Sequence, residues 1–552
     1  MNKFEVHCTV PSNVTAYVSS PDARGTFDIV WSCLSILLIC TWSVIHLNVP
    51  LQTTPQRKRE KYYRAITRTF NKFLWMLVNL LAPEWSMGKA WTDYLAVSSV
   101  QAGFNIKKNE DDVPWTRMHT YLANMGGFTI MFDEKTAPAP RPEDVPPANC
   151  AEGDESNSAT AVRITDNSGP GIDSNDLRQR YEPFTEGPGE TGAGAKEEKE
   201  EQDDLPKEFR SRVINIALSS SYRRNASPWV GKLQWDKDIA NSRTVMEAIN
   251  GVRLSHFQDE WEKRRVFDAF REWPANLRAL EGDRWILDAS QLLLARQLGV
   301  IKKLPALLED DVSDRNKGDL VIKVIAIGQV AWFVIQLIVR LVWHIPTSQL
   351  EIMTFAFAIC TAFTYFLLLE KPKDVEYSIV IRAARYATPW ELARLAVVGP
   401  AIYGWYRSGI NIPNNSIHAH RKYNGRTLHF DLIIGATFSI AIFGGVHCVA
   451  WGFSFPNNIE RLLWQVSSVV TAIAIPLTYM LWEFLPVFQV NKPVTPTQYE
   501  IQLLIAGIIV FIVGFVFCIA RIFILVEVFR SLAFLPPRAF EATWTNTLLH
   551  IG

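Results

Sequence analysis

The chain has 552 residues, and 56 Lys and Arg against 56 Asp and Glu leave a formal charge of zero, which excludes a basic nucleic-acid binder and an acidic buffer protein. Although 48% of residues are apolar, they are concentrated in long uncharged runs separated by highly charged stretches, the pattern of a multi-pass membrane protein. Seven cysteines form no CxxC, and Cys33, Cys40, Cys360, Cys448 and Cys518 fall inside apolar runs, which excludes a disulfide-stapled secreted domain and a zinc ribbon.

The first element is a short N-terminus, residues 1–28, carrying the glycosylation sequon Asn13-Val14-Thr15. A window of about 19 residues then selects a span over 29–47, too long at its apolar core for a cleaved signal peptide and read as a retained anchor. Residues 52–72 follow with seven basic side chains opposed only by Glu60, so the positive-inside rule places them in the cytosol and the N-terminus in the lumen or outside. Two shorter apolar stretches, 73–91 and 117–132, complete the region 29–132; either both cross or neither does. Glu84 and Lys89 are too polar for a lipid-facing span, which favours interfacial or re-entrant helices.

Residues 133–206 are rich in Pro, Gly and Glu and cannot bury enough apolar surface to fold, so a disordered linker is expected. Within 207–318, Trp229, Trp235, Trp261, Trp273 and Trp285 among regular charges predict a small cytosolic, mostly helical module. Five more spans fill 319–528, at 319–342, 349–369, 430–452, 461–484 and 502–528. The basic loops after them are cytosolic if 390–406 lies on the surface, and the tail 529–552 is then luminal. The expected fold is an all-α polytopic transmembrane bundle of six spans, eight if both short stretches cross. It carries a partly disordered cytosolic insert and resides in the endoplasmic reticulum or plasma membrane.

Several segments carry a resemblance: Trp42 to Pro50 (WSVIHLNVP), Leu81 to Glu84 (LAPE), Met125 to Phe128 (MGGF), Leu369 to Val375 (LEKPKDV), Gly445 to Trp451 (GVHCVAW), and Phe529 to Pro537 (FRSLAFLPP) with Trp544. In these the chain resembles a large family of fungal multi-pass membrane proteins with no established activity. The resemblance implies architecture and transfers no catalytic residue. Met353 stands where that pattern has His, and Leu549-His550 lacks its Pro.

Chemistry is sparsely signalled. Asp310, Asp311 and Asp314 spell DDxxD, a spacing that can hold Mg²⁺ and diphosphate, but no second such motif accompanies them and the same residues cap helices. His46 and His447 fall at opposite ends of their spans and cannot share a haem iron. No nucleophile elbow, phosphate loop or zinc-protease motif occurs in a meaningful context, and no cofactor is identifiable. Polar groups inside spans are the better signal, since each needs a partner or a wet cavity. Gln329, Gln336 and Arg340 lie on one face of a helix, and Glu351, His447, Glu460 and Arg521 complete a set assigned to the luminal half. Arg340 and Glu351, eleven residues apart across a short turn, are expected to pair. The set serves either as helix–helix contacts or as a polar pocket. Three classes of function remain: a structural, interaction or ligand-binding membrane protein, ranked first; a membrane enzyme acting on a hydrophobic small molecule; and a transporter or receptor. The partners implied are the lipid bilayer, such a small molecule, and proteins docking on the cytosolic insert, with nucleic acid excluded.

Overall fold

The computed structural model describes residues 23–50, 58–105, 113–132, 276–309, 317–402, 411–418, 428–484 and 496–543, except 278 and 281, with isolated positions before 23 and at 136, 137, 212 and 213. The expected linker beyond residue 137, four of the five tryptophans of the 207–318 module, and Asp310, Asp311 and Asp314 lie outside the described residues.

In chain order the first half comprises α1 (Thr26–Ser43), α2 (Lys58–Leu81), α3 (Pro83–Asn105), α4 (Arg117–Asn124), β1 (Phe128–Met131), β2 (Arg284–Ile286) and α5 (Ala289–Gln297). The second half comprises α6 (Lys317–Val342), α7 (Gln349–Leu367), β3 (Ile379–Arg382), α8 (Pro389–Val397), β4 (Ala401–Ile402), β5 (Ser416–Ile417), α9 (Leu428–Val449), α10 (Asn458–Phe484) and α11 (Pro496–Arg530). Six of these, α1, α6, α7, α9, α10 and α11, contain stretches long and apolar enough to cross a membrane. Each expected span falls on one of them. Their shared core includes Ile29, Cys33, Phe333, Phe357, Phe443, Trp464 and Ile524. Large apolar side chains on α6 and α11, such as Val324, Ile327, Phe511 and Phe515, stay exposed, as lipid-facing surfaces must.

The apolar stretch 73–91 is divided between two helices. Ala82 separates α2 from α3, and Pro83 opens α3 because a first-turn proline forfeits only an N–H that has no helical partner. On α2 the side chains of Tyr62, Tyr63, Ile66, Phe70, Phe73 and Leu74 are exposed on a stripe that continues to Leu81, with Arg64, Arg68 and Lys72 half-buried beside it. That is the composition of a helix lying in the membrane interface. By contrast α3 packs on α9 and α7 inside the bundle. Its contact with α9 is backbone on backbone: a Cβ on Gly435 would stand 2.7 Å from the Trp91 Cβ and 2.9 Å from the Gly88 Cα. Gly435→Leu is therefore expected to force the helices apart at a cost of about 1–3 kcal/mol or more. Unchanged stability in a denaturant titration of the purified protein would contradict that crossing.

The stretch 117–132 does not form a span. It folds as α4, a turn in which Gly126 takes φ +82°, and the buried strand β1. β1 is the centre of a three-stranded sheet, antiparallel to β2 with Ile130 opposite Trp285, and parallel to β3 with Ile130 opposite Ile381. Around it α4, α5, α8 and the end of α3 bury Trp115, Leu122, Phe128, Leu292 and Leu395 in a core separate from that of the bundle. The described part of the expected helical module thus contributes a strand and one nine-residue helix to a mixed α/β layer. At nine residues α8 is also too short to cross, since a span needs about 20.

The bundle has two ends. At one, the Arg24 N–H donates to the Phe540 carbonyl at 3.0 Å, so the start of α1 and the tail after α11 share a face. At the other, the ends of α1 and α7 meet the sheet module. These are called the tail end and the module end.

Candidate functional site

The seven polar residues singled out in the spans divide into three groups rather than converging. At the tail end Glu351 lies in the first turn of α7, where Ser348 caps the helix: the Glu351 N–H donates to Ser348 Oγ, and Glu351 Oε2 accepts from the Ser348 N–H and hydroxyl. Its other oxygen accepts from Arg24 Nη2 at 2.7 Å, with both side chains buried. Arg24, and not Arg340, is therefore the ion-pair partner of Glu351. Arg340 instead donates to three backbone carbonyls, those of Pro346 and Ala539 at 2.6 Å and Glu541 at 3.2 Å. The physical reason is the tail, which turns back through two short 3₁₀ segments, Ser531–Phe534 and Pro537–Phe540, and presents carbonyls to a guanidinium with five donors. Gln329 and Gln336 stay half-buried on α6, about three turns and one turn before Arg340.

In the bundle interior Arg521 of α11 pairs with Glu84 in the first turn of α3 at 3.1 Å and lies 3.7 Å from the centre of the Phe443 ring. His447 is stacked on the same Phe443 ring, 4.5 Å away, and Nδ1 lies 2.6 Å from the Phe443 carbonyl. Because a carbonyl only accepts, the ring donates to it through Nδ1–H. The third group is peripheral: Glu460 near the start of α10 meets Arg530 at 2.5 Å. Asn13, the sequon residue, is exposed. Among the described residues no group of three or more His, Cys, Asp or Glu is arranged to hold a metal ion.

A constellation with room beside it lies at the module end. A cavity of about 60 Å³, large enough for a few waters, is walled by Val44–Leu47 after α1, Trp75 and Asn79 of α2, Trp85, Ser86, Lys89, Ala90 and Asp93 of α3, Thr364, Leu368 and Lys371 at the end of α7, and Asn414. Asp93 is its centre. Its Oδ2 accepts from Lys371 at 2.7 Å, and Lys89, one turn earlier on α3, stands 3.3 Å from both oxygens while donating to the Ser416 carbonyl at 2.8 Å. Burial pushes the Asp93 carboxyl up, yet the Lys371 and Lys89 ammonium groups pull it further, and it ends well below the usual carboxylate range. Burial also holds Lys89 down to about 8, against the pull of Asp93.

A carboxyl whose pKa is depressed by folding lends its full stability above the unfolded value, about 3.9, and loses it as pH falls through the folded value. Acidification below about pH 4 should therefore destabilise the protein in part through Asp93. Asp93→Asn is expected to shallow that acid limb in thermal denaturation scans against pH, and an unchanged slope would remove Asp93 as a source.

The LEKPKDV segment organises this end. Glu370 pairs with Arg117 of α4 at 2.5 Å and Asp374 with Lys72 of α2 at 2.7 Å, and Glu376, just past the segment, pairs with Arg68. Lys371 and Lys373 point inward, to Asp93 and to the Ser43 carbonyl at the end of α1. Asn48, in the WSVIHLNVP segment, bonds the loop before β5 through the carbonyls of Ile412 and Pro413. Nearby, His418 Nδ1 lies 3.1 Å from Asp288 Oδ2, while the other Asp288 oxygen caps α5. Sequence reasoning missed Arg24, Asp93, Lys89 and Lys371 as partners. The signals were a basic residue just before an apolar run and two lysines flanking a proline just after one.

A helical bundle whose described residues include six helices long and apolar enough to cross a membrane, with a small α/β module packed at one end, defines the class of protein. Within it, this chain belongs to a family of unknown function, DUF8562, whose model matches residues 3–138, 282–390 and 426–551. No curated protein and no solved structure matches the chain.

Proposed function

We propose that the protein is a non-catalytic, ligand-binding membrane protein and that the junction cavity is where its ligand sits. The observation that carries this reading is the convergence of five chain segments on one small cavity, whose lining combines apolar side chains with the polar groups of Asn79, Ser86, Lys89, Asp93, Lys371 and Asn414. The non-catalytic part is supported by how the buried charges are used. Arg24 holds Glu351, Arg521 holds Glu84, and the lysines hold Asp93, so these groups are engaged with one another rather than poised for a reactant.

The orientation is supported by Arg68 and Lys72 of α2, which pair with Glu376 and Asp374 at the module end; the positive-inside rule assigns that end to the cytosol and both chain ends to the lumen or exterior. Tags at residues 2 and 552 should resist protease added to sealed vesicles, and one at residue 170 should be digested. Loss of a terminal tag would reverse the assignment. For the binding reading, protein extracted in mild detergent should show a retained small-molecule mass in native mass spectrometry. Ser86→Phe, which fills the cavity from α3, should remove that mass without unfolding the protein. A bare native mass that no added lipid or extract alters would overturn the reading.

A further inference from the structure

We infer that the junction cavity recognises a phosphate group, borne by an anionic lipid or free in solution. The inference rests on the reading that the cavity holds a ligand, and it names the ligand's chemistry. Three charged groups line the cavity: the ammonium groups of Lys89 and Lys371 and the carboxylate of Asp93. One cation is therefore left over, and the burial that lowers the Lys89 pKa shows that carrying this charge is costly. Asp93 already lies between the two lysines, so it is a second anion beside them that relieves that cost.

The neutral lining adds to the preference. Asn79, Asn414 and Ser86 stand around the lysines on different chain segments. Ser86 already donates to Asn79 Oδ1 and Asn79 Nδ2 to the Thr41 carbonyl, so the donors left for an oxyanion are the second N–H of Asn79, the amide of Asn414 and the lysines, and Lys serves phosphate as a compact point charge. Lys371 has three N–H groups, and its hydrogen bond to Asp93 uses one of them. Location supplies the lipid source. One wall is α2, whose opposite face carries the exposed apolar stripe, so the cavity lies about one helix diameter, roughly 10 Å, from a lipid-facing surface. Trp75 and Trp85 in the lining are the residue type that gathers at head-group depth.

The test uses the full chain in nanodiscs. Thermal unfolding is compared in phosphatidylcholine alone, in phosphatidylcholine with phosphatidic acid, and in phosphatidylcholine with inorganic phosphate added to the buffer. The expected result is a higher midpoint with phosphatidic acid, and at least a tenfold loss of phosphatidic acid affinity in Lys89→Gln, a variant that keeps the buried Asp93–Lys371 pair and so should fold. Stabilisation by inorganic phosphate at least equal to that by the lipid would assign the site to the free ion, again with loss in Lys89→Gln. Identical midpoints in all three media, or equal responses of native protein and Lys89→Gln, would overturn the inference. A neutral monoacylglycerol that stabilises the native protein but not Ser86→Phe, with phosphate inert, would overturn the phosphate while leaving the cavity as a ligand site.

Discussion

Glu351→Ala is expected to destabilise the protein by about 3–5 kcal/mol, the typical cost of stranding a buried charge. Three elements meet at this carboxylate: the start of α1 through Arg24, the cap of α7 through Ser348, and, by way of Arg340 close by, the tail after α11. Its removal leaves the guanidinium groups of Arg24 and Arg340 near one another without the anion between them. Arg24→Met should cost less, about 1–3 kcal/mol, because Arg340 still balances the carboxylate. Glu351→Gln, which keeps the cap geometry, should fall between the two. A double-mutant cycle of Arg24→Met with Glu351→Ala should show a coupling above about 1 kcal/mol. An order in which Arg24→Met proves the more damaging would mean that Arg340 does not share the charge.

What could be read in the sequence follows from which forces act locally. Spans are local: an apolar run in hydrocarbon has no alternative to a helix, so each of the six spans falls on an observed helix. The sheet could not be read in this way. β1, β2 and β3 have four, three and four residues, too few for a period to emerge. β1 also finds its partners around residues 285 and 380, a separation that no local pattern encodes. The division of 73–91 was visible in Pro83 once that proline is read as the start of a helix rather than a defect in one.

Partner choice was the least legible level. The short turn between α6 and α7 does bring Arg340 near enough to Glu351 for the two charges to attract. Which cation closes the hydrogen bond was decided by Arg24, 327 positions away in sequence, and by tail carbonyls that captured Arg340. Several of the segments that carry the family resemblance make long-range polar contacts of this kind. WSVIHLNVP accepts from Lys373 and holds the loop before β5, LAPE supplies Glu84, LEKPKDV joins α1, α2, α3 and α4, and FRSLAFLPP leads the tail to Arg340 and Arg24. Apolar helices in lipid gain little from burial against one another, so polar contacts of this kind are what fix a particular arrangement of the bundle and set the wall of the junction cavity.

The second large effect belongs to Glu84 and Arg521. The pair lies in the bundle interior, 3.1 Å apart, with side chains 3% and 5% exposed. Glu84 gains from its place in the first turn of α3, where the helix dipole favours an anion, and Arg521 gains from the face of Phe443. Neither Arg521 Nη atom and neither Glu84 oxygen has a hydrogen bond of good geometry to another described group, so the pair depends on Coulomb attraction in a medium of low dielectric. Breaking it is correspondingly severe: Arg521→Leu or Glu84→Leu should each cost about 3–5 kcal/mol by leaving a lone charge in the interior. Removing both charges should cost far less than the sum, because a buried ion pair replaced by apolar groups of similar volume is often neutral or stabilising. The measurement is unfolding of the purified single and double variants by denaturant titration. Coupling of several kcal/mol is the expected result, and additive costs would show that the two side chains do not meet.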